Sequence, residues 1–317
     1  MKILFFGNSE FGINTLASLV NSDHNVLQVI TNSDKVSGRG GKINSTPVKV
    51  FALENNIAIT EVDSLNDSNF LKKISAFNAD IFVVIAFRLL PVSLFKIPPL
   101  GTINLHSSYL PKYRGAAPIH RALLNGDSET GLSTFLIDEK IDTGNIIIQK
   151  TIDIDSNDNF GDLHDKMSLY GSKLVLDSIT HLQENKPLSN QSGVASYAKK
   201  ISKKELQINF NDDANFILNK IRAFSPSPGA YSYLKSFRLK IFKASKSNFF
   251  GSELNPGEIR VSQNKLFVGT GSNSIEILKI QIEGKPIIYA SDFINGHFQH
   301  LSKKYKAIEF KNEKDIT

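Results

Sequence analysis

The stretch DIFVVIAF, residues 80–87, constrains the fold more than any other part of the chain. An apolar run without polar alternation suits a strand covered on both faces, and such strands belong to parallel sheets flanked by helices. Its surroundings agree. KILFFG at the N-terminus and VLQVIT (26–31) read as strands, and helix-like segments follow at 10–21 and 46–56. The second helix is introduced by Thr46-Pro47, a cap followed by a proline suited to a first turn. GTINLH (101–106) is a further strand, AAPIHRALLNG (116–126) a helix stopped by Gly126, and GLSTFLID (131–138) and GNIIIQKTIDI (144–154) are strands. Residues 159–184 form one long amphipathic helix. This alternation predicts an α/β fold with a Rossmann-like, open and mostly parallel sheet.

The character of the chain changes near residue 185. ENKPLSNQSGVASYAKKISKKE has proline, glycine, serines and lysines without a clear period and reads as an exposed linker. A short helix follows at about 211–223, with Asn211 or Asp212 as candidate caps. Then come short strands, AYSYL, FRLKIFKAS, GEIRVS, KLFVGT and SIEILKIQI, separated by turn signals, which suggests a small barrel. The expected domains are therefore 1–188, a basic linker at 189–204, and 205–317; a chain of 317 residues is long for one core. The last fifteen residues are highly charged and read as a helix or a frayed tail.

Charge separates the same two halves. Residues 1–189 hold 17 Lys and Arg against 20 Asp and Glu, a net of −3. Residues 190–317 hold 20 against 11, a net of +9, which suggests that this half meets a polyanion. The chain has no cysteine, so disulfides, thiolate metal sites and cysteine nucleophiles are excluded, and a cytoplasmic setting is expected. MKILFF turns polar too soon for a leader, and no apolar run approaches the roughly 20 residues that span a bilayer.

Several chemistries lack their motifs. GNSEFG after the first strand does not have G-x-G-x-x-G spacing, and no Gly-Lys-Ser/Thr follows. The seven histidines show no metal-ligand spacing, and no G-x-S-x-G marks a serine nucleophile. What remains is NLHSSYLPKYRG, residues 104–115. Asn104 and His106 share one strand face, and sites in open α/β sheets form outside the carboxyl ends of strands. A satisfied polar pair at a strand end is the plain reading. The sharper one adds a carboxylate to orient the imidazole, with Asp138, Glu139 and Asp142 as candidates. Asp142, followed by Thr-Gly in a tight loop, is the one expected to point into a cleft. Asn, His and Asp together suit a carbonyl that passes through a tetrahedral oxyanion, with two donors for the oxygen and a carboxylate to manage protons.

The segment from INLHSSYLPKYRG to DTGNIII resembles the signature of formyltransferases that use 10-formyltetrahydrofolate. That signature is N-x-H, then S-x-L-P-x-x-R-G, then D-x-G, which here begins 36 residues past the histidine. The resemblance implies that Asn104, His106 and Asp142 are catalytic. It implies that Ser108, Tyr109, Leu110 and Pro111 line the folate site, with Tyr109 standing where the family usually has leucine. VVIAFRLLP (83–91) matches the strand and loop of the pterin pocket, with Phe87-Arg88 in place of the usual aromatic-glycine pair. FFGNSEFG departs at Asn8-Ser9 from the usual F-x-G-T-P-x-F-A.

Along nearly its whole length the chain is similar to the branch of that family acting on methionyl initiator tRNA. SDKVSGRGGKINSTPVKVFA (33–52) resembles an inserted loop that reaches the acceptor stem, which directs Arg39 and Lys42 to the tRNA. SYAKKISKKE resembles the join to a C-terminal OB-like barrel that touches the tRNA, adding Lys199, Lys200, Lys203 and Lys204. The implied enzyme is a cytoplasmic monomer of translation initiation that needs folate but no metal and no membrane. A sugar-amine or purine-precursor formyltransferase would share the three catalytic residues but lack the Arg39 loop and basic barrel. A folate hydrolase or dehydrogenase fragment, and a nucleic-acid-binding module without chemistry, are the remaining alternatives.

Overall fold

In the computed structural model, which describes residues 1–37, 41–235, 237–298 and 309–311, the apolar run becomes the middle strand of a seven-stranded sheet. The chain enters as β1 (Lys2–Gly7), α1 (Ile13–Val20) and β2 (Asn25–Asn32). A small hairpin, β3 (Lys35–Ser37) and β4 (Lys42–Asn44), precedes α2 (Pro47–Glu54) and β5 (Ile59–Val62). Next come α3 (Ser68–Ala76), β6 (Ile81–Ile85), α4 (Val92–Phe95) and β7 (Thr102–His106). After β8 (Arg114–Gly115) and α5 (Pro118–Asn125) follow β9 (Glu129–Leu136), β10 (Ile146–Asp153), α6 (Phe160–Gln183) and β11 (Tyr197–Ala198).

The sheet order is β10-β9-β7-β6-β1-β2-β5. The five strands from β7 to β5 are parallel, and β9 and β10 add an antiparallel edge. All five residues of β6 are buried, as a strand covered on both faces must be. Local signals place the helices. The Thr46 hydroxyl accepts from Lys49 N at 3.1 Å and caps α2 ahead of Pro47; Asp67 does the same for α3 through Phe70 N at 2.8 Å. Phe70 and Ile74, one helical turn apart, then pack with Leu4, Phe6, Phe82 and Val84 on one face of the sheet.

The chain divides into two compact units that are not contiguous in sequence. The first comprises Met1–Pro118, Glu129–Asp153 and His164–Ala198; the second comprises Ile119–Ser128, Ile154–Leu163 and Lys199–Thr317. Residues 189–198 thus carry a strand of the first unit, with β11 pairing in parallel with β8.

The second unit adds α7 (Ala214–Ala223) and β12 (Ala230–Leu234), β13 (Phe237–Ser247), β14 (Ile259–Ser262), β15 (Lys265–Gly269), β16 (Ser274–Ile282) and β17 (Ile287–Tyr289). A last turn, α8 (Ala290–Phe293), precedes β18 (Phe310–Lys311). The cap of α7 is Asp213, whose carboxylate accepts from Asn215 N at 2.8 Å, in place of the expected Asn211 or Asp212. Those two are drawn into a turn of their own around the Asn209 amide. The antiparallel sheet runs β14-β15-β16-β13-β12-β18, with β17 on β16. A bridge between Glu258 and Glu309, with Phe310 N donating to Gly257 O at 2.9 Å, joins its two edges into a barrel. Phe310 is buried, so this part of the charged terminus is neither helix nor tail but a closing strand. Ile217 and Ile221 of α7 plug the barrel core among Leu239, Ile241, Leu266, Val268 and Ile277. No helix among the described residues is long and apolar enough to cross a membrane.

Candidate active site

Asn104 and His106 stand at the carboxyl end of β7, beside β6. Register places Asn104 against Val84, and the amide Nδ2 donates to the Val84 carbonyl at 3.1 Å. One hydrogen of the amide is thereby fixed and the second has a defined direction. His106 is buried, with its Nε2 2.9 Å from the Tyr113 carbonyl. A carbonyl only accepts, so Nε2 carries the hydrogen and Nδ1 is the ring atom turned toward Asp142. Asp142 Oδ2 lies 3.7 Å from Nδ1, close enough for charge pairing and too far for a hydrogen bond. The same oxygen accepts Gly115 N–H at 2.7 Å, so the carboxylate is held without consuming the imidazole.

The local chain explains why Asp142 reaches this point and its neighbours do not. Asp138 accepts from the Thr143 hydroxyl and from Lys140 N, closing the loop upon itself. Glu139 meets Lys96 at 3.4 Å on the surface. Asp142 takes a left-handed φ of +55°, which for a non-glycine residue costs about 1–3 kcal/mol and marks an imposed geometry. The glycine of D-x-G is required by close approach: a Cβ on Gly144 would lie 1.7 Å from the Leu136 carbonyl. Gly115, at φ +117°, is equally constrained, since a Cβ there would meet the Ala198 carbonyl at 2.9 Å.

The four residues expected to line a folate site divide by role. The Ser108 hydroxyl donates to the Lys112 carbonyl, and Leu110 N donates to the Ser133 hydroxyl at 3.0 Å, so both are engaged in holding the loop. Leu110 and Pro111 are buried, whereas Tyr109 presents its ring to solvent. At Phe87-Arg88 the left-handed residue is Ala86, at φ +48°, and the Arg88 guanidinium donates to the carbonyls of Asp63 and Val62 at 2.6 and 2.8 Å. At the other departure, Asn8 Oδ1 accepts from the Thr31 hydroxyl and from Asn32 N, tying the ends of β1 and β2.

Of the residues expected to meet tRNA, Arg39 lies outside the described residues, and Lys42 begins β4. Lys199, Lys200, Lys203 and Lys204 are all exposed. The last two lie in a 3₁₀ turn, Lys203–Leu206, closed by a reciprocal Ser202–Glu205 capping box. Arg121 of α5 pairs with Glu205 at 2.5 Å and donates to the Lys199 carbonyl at 3.1 and 2.9 Å. Arg121, with help from Ser202, holds the Glu205 carboxyl down to about 2.

Sequence reasoning missed the Tyr113 carbonyl and the Gly115 amide, because backbone groups have no residue signature. It also missed Arg121 and Glu205, although S-x-x-E at 202–205 is a readable capping signal. Among the described residues no three His, Asp or Glu groups converge as a metal site would require.

Comparison with known proteins identifies the family to which both parts of this chain belong. Residues 1–179 match the family described as formyl transferase, and residues 200–298 match the formyl transferase C-terminal domain. The chain belongs to the formyltransferase family. A methionyl-tRNA formyltransferase of Thermodesulfovibrio yellowstonii is 40% identical, over 93% of this chain and 95% of that one. One from Coxiella burnetii is 39% identical, over 95% and 97%. The solved structure of WlaRD, described as a sugar 3N-formyl transferase in the presence of dTDP and 5-N-formyl-THF, superposes with a TM-score of 0.62. It is 26% identical, covering 90% of this chain and 99% of that one. Within the family, the full-length likeness is to the methionyl-tRNA formyltransferases.

Proposed function

We propose that this chain transfers a formyl group from 10-formyltetrahydrofolate to the α-amine of methionine on initiator tRNA, a step of translation initiation. The observation that carries the chemistry is the juxtaposition of His106 Nδ1 and Asp142 Oδ2 at 3.7 Å, each held from outside by backbone. The site suits a folate. Leu89, Tyr109 and Ile141, on the loops leaving β6, β7 and β9, expose large apolar faces that a flat heterocycle can cover.

When bound, the folate supplies a formyl carbon already activated on nitrogen. Asn104 directs its second amide hydrogen to the formyl oxygen. His106 reaches that oxygen through Nδ1, because Nε2–H is given to Tyr113; Nδ1 can donate only from the charged ring, for which Asp142 is the counter-charge. Such donors act on charge that develops in the transition state and are worth about 10²–10³ in rate each. Asp142 accepts the proton that the amine loses as it bonds the formyl carbon, directly or through a water, and returns it to the departing folate nitrogen.

In this reading residues 1–188 form the catalytic domain, 189–204 the basic connection and 205–317 the OB-like domain that contacts tRNA. Arg39, Lys42, Lys199, Lys200, Lys203 and Lys204 meet the nucleic acid, and the enzyme acts as a cytoplasmic monomer. The deciding experiment offers charged initiator tRNA, charged elongator tRNA, free methionine and a nucleotide-linked amino sugar as acceptors, each with 10-formyltetrahydrofolate. Fast transfer to initiator tRNA alone is expected. Equal or faster transfer to the amino sugar or free methionine would overturn the acceptor assigned here.

A further inference from the structure

Residues 189–198 look in sequence like a linker, yet their hydrogen bonds converge on both members of the His106–Asp142 pair. The Ser196 hydroxyl accepts from Tyr113 N at 2.9 Å, and the Tyr113 carbonyl is the group that orients His106. Gln191 acts on the other side. Its Nε2 donates to the carbonyls of Asp142 and Gly144, both at 2.9 Å. Its Oε1 accepts from Arg114 Nε at 3.2 Å and Nη2 at 2.6 Å. The segment itself is anchored at both ends, by the two-way bridge of Ser189 with Ile146 and by β11 on β8.

We infer that Gln191 is a positioning residue that sets Asp142 for proton transfer, an inference that rests on the catalytic reading of Asp142 given above. Asp142 holds a left-handed backbone, which aspartate tolerates better than most residues but which still depends on surroundings that hold it in place. Gln191 brackets that residue by bonding its carbonyl and the one two positions on. Only an amide serves here, because the side chain must donate to two carbonyls and accept from a guanidinium at once. Arg114, the arginine of the R-G signature, thus acts on Asp142 through Gln191. Since a misplacement of about 1 Å can cost on the order of 10² in rate, loosening this bracket should appear in turnover before it appears in binding.

The experiment compares Gln191→Ala, Gln191→Glu and Asp142→Asn in the full chain, with Ser192→Ala, an exposed neighbour, as control. Gln191→Glu preserves side-chain size and the partner for Arg114 but faces two carbonyls with an oxygen, so it tests the bracket where the alanine variant fails to fold. Both Gln191 variants are expected to lower kcat by about 10–100-fold with KM for folate and for tRNA nearly unchanged. Adding Gln191→Ala to Asp142→Asn should cost no further turnover, because residues acting as a unit are not additive. If Asp142→Asn is crippled while both Gln191 variants stay within about twofold of wild type, the inference falls and the catalytic reading stands. A loss in Gln191 variants that falls on KM, or that adds fully to Asp142→Asn, would reduce Gln191 to a structural contact. Near-normal turnover in Asp142→Asn would remove the catalytic reading itself.

Discussion

Replacing Glu205 by glutamine tests the clasp that holds the basic segment in place. Glu205 accepts from Arg121 and from the backbone and hydroxyl of Ser202, which together bring its carboxyl from 4.5 to about 2. A drop of that size corresponds to about 3 kcal/mol at 1.36 kcal/mol per unit. The Glu205 side chain is 36% exposed, and solvent screening of such a pair reduces the figure to about 1 kcal/mol. Because the folded-state carboxyl is depressed, this stabilisation is complete above the unfolded value of 4.5 and disappears as pH falls through about 2. Urea unfolding of wild type and Glu205→Gln at a series of pH values isolates it, since the other carboxylates cancel in the difference. The expected difference is about 1 kcal/mol at neutral pH, shrinking toward zero as both proteins are acidified. A difference that is absent at neutral pH, or that persists undiminished at about pH 2–3, would refute the assignment of the stabilisation to this carboxylate. Binding of initiator tRNA should weaken in the same variant, because Arg121 also fixes the Lys199 carbonyl.

His106→Ala and Asp142→Asn should each lose about 10²–10⁴-fold in turnover in single-turnover formyl transfer, with tRNA binding retained. Asp138→Asn, a change in a loop-closing residue, should keep most turnover, and a loss there exceeding that of Asp142→Asn would mean the carboxylate was wrongly chosen. Replacing Lys199, Lys200, Lys203 and Lys204 together by glutamine should lower initiator-tRNA affinity and flatten its salt dependence, measured by filter binding across ionic strength, with the unfolding midpoint little changed. An unaltered salt slope would leave these lysines as solvated surface. Gly115→Ala should depress turnover and stability together, since the new Cβ meets the Ala198 carbonyl at 2.9 Å in a left-handed backbone; wild-type melting and rate in that variant would contradict the geometry.

Periodicity and caps made the first half of the fold legible, because they depend on neighbours in the chain. The continuous apolar run suited a strand covered on both faces, and Thr46-Pro47 suited a helix start; both are what the structure shows. The short-strand rhythm after residue 225 likewise announced a barrel, and the family resemblance carried by N-x-H and D-x-G pointed to the trio proposed here as catalytic. Asn104 and His106 were readable because they sit on one strand, where a period of two places them on one face. The charge difference between the halves needed only counting.

What the chain could not disclose is how partners distant in sequence meet. Nothing in LPKYRG says that the Tyr113 carbonyl chooses the tautomer of His106, or that Gly115 N–H holds Asp142. The aperiodic stretch at 189–198 has the composition of a linker, yet it pairs with β8 through residues more than eighty positions away. Phe310 closes a barrel from within a segment whose charge reads as a tail. In each case the deciding partner is a backbone amide or carbonyl, and every residue type carries those alike. Sequence therefore determined which side chains could react, through their chemistry and local spacing, whereas tertiary structure decided which way they point, because orientation is set by hydrogen bonds that only the folded backbone supplies.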